Sequence, residues 1–276
     1  MPERSLPRRE NAVFDGIADS YDETRSLSPD VTEAVARVLE PELEGRGRCL
    51  EIGVGTGRIA LPLHARGIPV AGIDLSARMI GRLVEKSGGR PPFPLALADA
   101  LRLPFREGTF GAGVIAHVLH LIPAWNDALR ELVRVVEPGG VILVDVARWD
   151  LPLMQDVQER FASEAGISPR FPGTTEESEI EEAMRGLGAS VRRLPAIPAP
   201  QQVTIEEHIQ RMERGIFSFC DGLGPDVRRL AGRATRWWAR ERFGALDETR
   251  EMEVQIVWLA FDLTNSAIRD EISSES

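Results

Sequence analysis

The residues best placed to do chemistry lie in Cys49-Leu50-Glu51-Ile52-Gly53-Val54-Gly55-Thr56-Gly57-Arg58. There an apolar run takes in a carboxylate and glycine then recurs at every second position. Glycine has no Cβ and tolerates positive φ, so it suits a sharp turn or close backbone contact with a ligand. A strand, a glycine turn and a helix N-terminus together form such a ligand site. The dinucleotide fingerprint G-x-G-x-x-G needs a third glycine where this chain has Arg58. Asp74 stands about 20 residues past the turn, where an acid can bond ribose hydroxyls. Asp99 closes a third predicted strand. Acids at three successive strand ends, with no basic cradle for phosphate, suit a nucleoside ligand carrying positive charge better than a pyrophosphate.

The elements that must position these acids are read from periodicity and caps. Val31 to Leu39 reads as a helix capped by Asp30, after an earlier one over Asn11 to Ser20. Strands are predicted at Cys49 to Gly53, Ile68 to Ile73, Leu95 to Ala98, Phe110 to Ala116 and Val141 to Val146. Helices fall between them at Arg58 to Ala65, from Ser76 as N-cap through Val84, and at Ala124 to Val136. Strands alternating with helices predict a parallel sheet covered on both faces. Beyond Ala147 the alternation weakens. Helices are expected at Asp150 to Ala165, Glu176 to Leu187, Thr204 to Phe217 with a Thr204/Glu207 capping box, and Pro225 to Phe243. Strands are expected at Ser190 to Leu194 and Glu251 to Asp262, and Pro195 to Pro200 reads as a stiff connector.

The chain has 276 residues, 43% hydrophobic and 28% charged, which fits a globular protein with a sizeable core. A net charge of −10 argues against nucleic acid as a partner, since phosphate contacts need a basic surface. No run is long enough for membrane insertion, and Met1 to Glu10 lacks an apolar leader core, so a cytoplasmic protein is expected. Cys49 and Cys220 make neither a disulfide framework nor a Cys-x-x-Cys metal site, and no metal is expected. Lys86 is the only lysine. Among the aromatics, Phe161, Phe217, Phe219, Trp237 and Trp238 read as core, and Trp149 as a substrate-side candidate. His120, flanked by Leu119, Leu121 and Ile122, reads as core; His64 and His208 read as surface.

Six blocks in order carry a resemblance: FDGIADSYDETR (Phe14 to Arg25), EIGVGTG (Glu51 to Gly57), GIDLSARMI (Gly72 to Ile80), ADALRLPF (Ala98 to Phe105), AHVLHLIP (Ala116 to Pro123) and VEPGG (Val136 to Gly140). The chain resembles the class I S-adenosylmethionine (SAM)-dependent methyltransferases, in the small-molecule, ubiquinone/menaquinone-biosynthesis-like (type 11) branch. The likeness covers Phe14 to Gly140 well and the remainder loosely.

The resemblance implies a Rossmann-like, doubly wound α/β fold with a seven-stranded sheet whose last strand is antiparallel. It implies a tail and helical lid over 1–45, a SAM-binding core over 46–147, and a helical insertion with the final strands over 148–276. It implies SAM as cofactor, S-adenosylhomocysteine as product, a small-molecule acceptor with an O, N or C nucleophile, and a monomer or homodimer. Gly53, Gly55 and Gly57 would form the turn under the cofactor, with Glu51 reaching its amino group through water. Asp74 would take the ribose hydroxyls, Leu75 or Met79 would line the adenine slot, and Asp99 would accept from the adenine amino group. The backbone of Ala100 and Leu101 would read the ring edge. Ala116 and His117 would meet the methionyl end, Tyr21 would cover the sulfonium, and Arg25 would bind the carboxylate. Tyr21 and His117 are the catalytic candidates, His117 as base. Gly111 departs from the family's Asp after the phenylalanine, and no Asn-Pro-Pro-aromatic motif supports adenine methylation. The competing readings are a SAM-binding module without catalysis, an NAD-dependent oxidoreductase and an RNA methyltransferase.

Overall fold

The computed structural model describes residues 21–22, 27–146, 152–168, 171–220, 222–252 and 254–264. The helix expected over Asn11 to Ser20 lies outside these, as do Arg25 and Trp149. In chain order the main elements begin with α1 (Pro29–Leu43), β1 (Cys49–Ile52), α2 (Ala60–Ala65), β2 (Val70–Asp74), α3 (Ala77–Lys86) and β3 (Leu95–Leu97). There follow β4 (Phe110–Ile115), α4 (Trp125–Val135), β5 (Val136–Asp145), α5 (Pro152–Glu164), α6 (Glu177–Gly186) and β6 (Ala189–Arg193). The last are α7 (Ile205–Glu213), α8 (Pro225–Phe243) and β7 (Trp258–Leu263). The chain forms two compact units. One comprises Met1–Ala147, Pro172–Ile197 and Val257–Ser276, the other Arg148–Phe171 and Pro198–Ile256.

The first unit holds a seven-stranded sheet in the order β3-β2-β1-β4-β5-β7-β6. β7 runs antiparallel to both its neighbours, while β1 through β5 pair in parallel. This is the Rossmann-like α/β fold expected. All four residues of β1 are buried, and side chains alternate between faces, so both faces of the sheet are covered there. Leu50, Ile52, Ile73 and Ile115 are each buried almost completely. Each contributes roughly 1.5–3 kcal/mol relative to an exposed position. β1 connects outward to β2 on one side and has β4 on the other. Strand order therefore reverses between β1 and β4, and a ligand crevice belongs outside their carboxyl ends.

Local details differ from the sequence reading. Ser28, not Asp30, caps α1: its hydroxyl accepts from Val31 N–H at 3.3 Å. Pro29 then occupies the first turn, where it lacks no bond, and burial of Leu43 carries the helix past Leu39. Ser76 caps α3 as expected, accepting from Met79 N–H at 3.1 Å. β5 starts at Val136 instead of Val141, because Val136 already pairs with Phe110 before a register shift around Pro138–Gly140. Ile197–Pro198 is a short strand, not only a connector. The late strand is broken into Arg250–Met252, Gln255–Ile256 and Trp258–Leu263. Gly111 has a steric cause: a Cβ there would lie 1.4 Å from the carbonyl oxygen of Arg46, so the family's aspartate has no room.

In the second unit α5, α7 and α8 pack together. Arg236 of α8 clamps α7, its Nε on Glu206 at 2.9 and 3.0 Å and its two terminal nitrogens on Glu213 at 2.6 and 2.8 Å. Thr204 caps α7 by accepting from Glu207 N–H at 3.0 Å. His208 is not a surface residue. Gln158 bonds its ring at 3.1 Å and Phe217 packs 5.1 Å away. Burial, with Arg211 nearby, pushes its pKa down to about 4, so the imidazole is neutral at pH 7. Trp237, expected in the core, is 62% exposed.

Candidate active site

β1 delivers the site. Glu51 sits in register between Gly72 of β2 and Val114 of β4, with only 3% of its surface exposed. Burial is the main force on its carboxyl and pushes its pKa up to about 8. The charge of Arg58 and the Ala60 N–H oppose this, and Asp74 adds to it. Glu51 Oε2 is buried with no hydrogen-bond partner among the described residues. A buried carboxylate oxygen left unpaired is costly, and it marks a place where a donor is missing.

The chain then enters the glycine turn. Gly53, Gly55 and Gly57 have φ of +68°, +53° and +86°. A Cβ on Gly53 would strike Val118 Cγ2 at 2.2 Å, and one on Gly57 would strike Leu61 at 2.7 Å. At Gly55 the nearest atom would be Gly53 O at 3.9 Å. Two glycines are thus required by packing, and the middle one leaves an open approach to the backbone.

Asp74, ending β2, fixes this turn from the side. Its Oδ2 accepts from Gly55 N–H and its Oδ1 from Ser76 N–H, both at 2.8 Å. Asp99 lies just beyond β3, where its Oδ1 accepts from Leu101 N–H at 2.9 Å. Met79 and Ala100 are buried, Leu75 is half-buried, and Leu101 is exposed.

On the other side of β1, Ala116 and His117 follow β4. Ala116 is buried. His117 adopts φ +55°, the left-handed region, where no other non-glycine residue is found among the described residues. Its Nε2 lies 3.9 Å from Asp145 Oδ2 at the end of β5, and its ring meets that of His120 edge-on at 6.0 Å. His120, expected in the core, is half-buried, and its carbonyl accepts from Gly173 N–H at 3.0 Å.

Tyr21 is half-buried in a helical turn. Thr56 Oγ1 donates to Asp22, the neighbour of Tyr21, at 2.5 Å, and Lys86 Nζ lies 2.9 Å from the same carboxylate. Thr56 thereby ties the segment carrying Tyr21 to the glycine turn, and Lys86, the only lysine of the chain, ties it to the end of α3. Sequence reasoning passed over Asp22, Thr56, Lys86 and Asp145. For Asp145 a signal was present, since it is another acid at a strand's carboxyl end, like Asp74.

Residues 50–144 match the family described as Methyltransferase domain. The ubiquinone/menaquinone biosynthesis C-methyltransferase UbiE of Syntrophotalea carbinolica is 32% identical over 193 residues, covering 67% of this chain and 78% of that protein. The chain belongs to the class I SAM-dependent methyltransferases of the ubiquinone/menaquinone type. A demethylmenaquinone methyltransferase of Streptomyces avermitilis is 32% identical over 141 residues, 50% of this chain and 60% of that protein. The chain spans 55% and 60% of the length of the first curated relatives it matches. Among solved structures, the YcgJ protein of Bacillus subtilis aligns with a TM-score of 0.59 and 16% identity, over 86% of this chain and 99% of that one. The [4+2]-cyclase SpnF aligns with a TM-score of 0.58 and 16% identity, over 96% and 99%. These two likenesses concern the fold.

SAM is the methyltransferase cofactor, and the residues present fit it. The orphaned Oε2 of Glu51 suits an ammonium donor, the open face at Gly55 admits close contact, and Asp74 brings a carboxylate to the edge of that turn. A cation brought beside Glu51 favours its ionised form and offsets the burial that now disfavours it.

Proposed function

We propose that this protein transfers the methyl group of SAM to an O, N or C nucleophile of a small organic molecule. The observation that carries the reading is the Glu51–Gly55–Asp74 arrangement: a buried acid with one oxygen lacking a partner among the described residues, an open turn, and a second acid bonded to that turn. In this reading Asp74 binds the ribose hydroxyls, Asp99 and the Ala100–Leu101 backbone hold the adenine, and Leu75 and Met79 flank it. Glu51 faces the amino group, while Ala116 and His117 line the methionyl end. Tyr21 covers the sulfonium, and Arg25 serves its carboxylate. The cofactor supplies a methyl group already attached to a cationic sulfur that leaves readily. The chain's own work is then to align the acceptor with that methyl and to exclude water. His117, beside Asp145, is placed to take a proton from an acceptor hydroxyl. A carbon nucleophile on a quinone precursor is the first acceptor to screen, because the relative from Syntrophotalea carbinolica is named as a C-methyltransferase of quinone biosynthesis.

The test is calorimetric titration of wild type and Asp74→Ala with SAM and S-adenosylhomocysteine, followed by transfer of labelled methyl to a panel of acceptors. Micromolar binding weakened at least tenfold in the variant, with label appearing in an acceptor, is the expected result. A folded, cofactor-free wild type that binds neither nucleoside overturns the reading. Binding without transfer to any acceptor favours a SAM-binding module instead.

A further inference from the structure

α8 carries a surface that methyl transfer leaves unexplained. Its sequence, PDVRRLAGRATRWWARERF, contains six arginines against two acids, Asp226 and Glu241, in a chain of net charge −10. The helix buries a small-residue face of Ala231, Thr235 and Ala239. On another face Val227, Leu230, Ala234 and Trp237 recur at spacings of three and four, which is one stripe of a helix. Three of these are open to solvent: Val227 by 41%, Leu230 by 63% and Trp237 by 62%. The adjacent Trp238 is engaged quite differently, with Arg160 and Arg242 over its ring and Phe243 at its edge.

Beside the stripe runs a row of arginines. Arg229, Arg233, Arg236 and Arg240, with Trp237 and Glu213, line an open groove of about 440 Å³. Two of the four charges are met from within: Arg229 pairs with Asp226, and Arg236 is saturated by Glu206 and Glu213. Arg233 and Arg240 are exposed, and neither has an ion pair among the described residues. They are seven residues apart, two turns along the same side of the helix, and bracket Trp237.

An exposed aliphatic and indole stripe next to arginines that lack an ion pair among the described residues is the pattern of a helix lying in a lipid interface. A second copy of this chain is a poor occupant. A two-fold pairing of the same patch would set one arginine row against the other. Charge complementarity selects an anionic surface.

We propose that α8 docks lengthwise on an anionic lipid bilayer, with Leu230 and Trp237 entering the acyl boundary and Arg233 and Arg240 taking lipid phosphates. The helix is about 28 Å long at 1.5 Å per residue, so the contact is broad and shallow. No helix among the described residues is long and apolar enough to cross a membrane, and this docking requires none.

The test is sedimentation of the full chain with vesicles of phosphatidylglycerol and phosphatidylcholine, against phosphatidylcholine alone. Wild type should partition onto the anionic vesicles, and salt should weaken the partition. The double variant Arg233→Gln/Arg240→Gln should partition about 30-fold more weakly at low salt, from roughly fivefold per arginine near the surface. Leu230→Ser/Trp237→Ser should lose binding to a similar degree. Glycerol phosphate or inorganic phosphate should not displace the wild type, because the apolar stripe gives them nothing to bind. All four side chains are exposed, so thermal unfolding should be unchanged. Should the serine pair misfold, the glutamine pair still decides the question. Equal partition onto neutral vesicles overturns the proposal. So does partition that survives both double variants, or a wild-type dimer that the serine pair disperses.

Discussion

Glu51→Gln isolates the electrostatics of the glycine turn. Burial above all penalises the charge of the Glu51 carboxyl and pushes its pKa up to about 8. A bound ammonium group beside it would stabilise the ionised form, so binding SAM would release a proton whenever the solution is below that pH. For a carboxyl raised to about 8 and returned to its ordinary range by the ligand, apparent affinity climbs with pH and levels off above 8. The gain from pH 6 to pH 8 is about 50-fold, or ~2 kcal/mol, at roughly 1.4 kcal/mol per pKa unit. Glutamine keeps a carbonyl to accept from Ala60 N–H and removes the titration. The assay is calorimetric titration of both proteins across this range, in buffers of different ionisation enthalpy to count protons. The amino group of SAM itself titrates near 7.7–8.0, but it does so for both proteins, so the difference between the curves is the readout. The sign can be checked without ligand. A raised carboxyl stabilises the fold below the unfolded pKa of 4.5, and this is lost as pH rises through 8. The empty wild type should therefore lose roughly 3 kcal/mol of stability between pH 5 and 8 that Glu51→Gln keeps. Parallel affinity curves for the two proteins would refute the placement of Glu51 beside the cofactor's cation. Parallel stability curves would refute the raised pKa itself.

Gly53→Ala should destabilise the first unit by more than about 1–2 kcal/mol. The new methyl meets Val118 Cγ2 at 2.2 Å and the backbone is at φ +68°, so both clash and strain apply. Val118→Ala in the same chain should recover the clash but not the strain, and thermal unfolding of the single and double variants separates them. His117→Gly should separate stability from function. Glycine relieves the left-handed strain at φ +55°, so the variant should unfold no earlier than wild type while losing transfer to hydroxyl acceptors by about 10²-fold or more. A variant that is both less stable and fully active would show that His117 is there for packing.

The parts of this site legible in the sequence are those whose chemistry is local. Gly53, Gly55 and Gly57 announce a turn, and Asp74 follows at the distance a strand, turn and helix impose. Ser76 caps its helix three residues before its partner, Met79. Asp145 could be read only as an acid at a strand end; its meeting with His117 was not legible, because that depends on β4 and β5 being neighbours in register, a property of the sheet and not of either segment. Asp22 was missed for the same reason, since Thr56 and Lys86 reach it from distant parts of the chain. Gly111 looked like a departure from the family and turns out to be a steric requirement of Arg46 O. Trp237 and Trp238 were indistinguishable by type, yet consecutive helix residues point about 100° apart, so Trp238 is half-buried beneath Arg160 and Arg242 while Trp237 faces solvent.

The net charge of −10 excludes less than it first suggested. It speaks to the field far from the molecule, where single charges blur. Within about 8–10 Å, at ordinary salt, a ligand meets only the side chains it touches. At the carboxyl ends of β1, β2 and β3 those are Glu51, Asp74 and Asp99, a surface for a cation. Along α8 they are Arg233 and Arg240, exposed and without an ion pair among the described residues, a surface for an anion. The two are opposite in sign and independent in cause: the first is set by acids at strand ends, the second by a helix whose buried face needs only small residues and leaves its long side chains outward. An overall charge therefore argues against extended contact with nucleic acid, which needs many phosphates met at once. It has no force against a local anionic contact that two arginines and an indole can make.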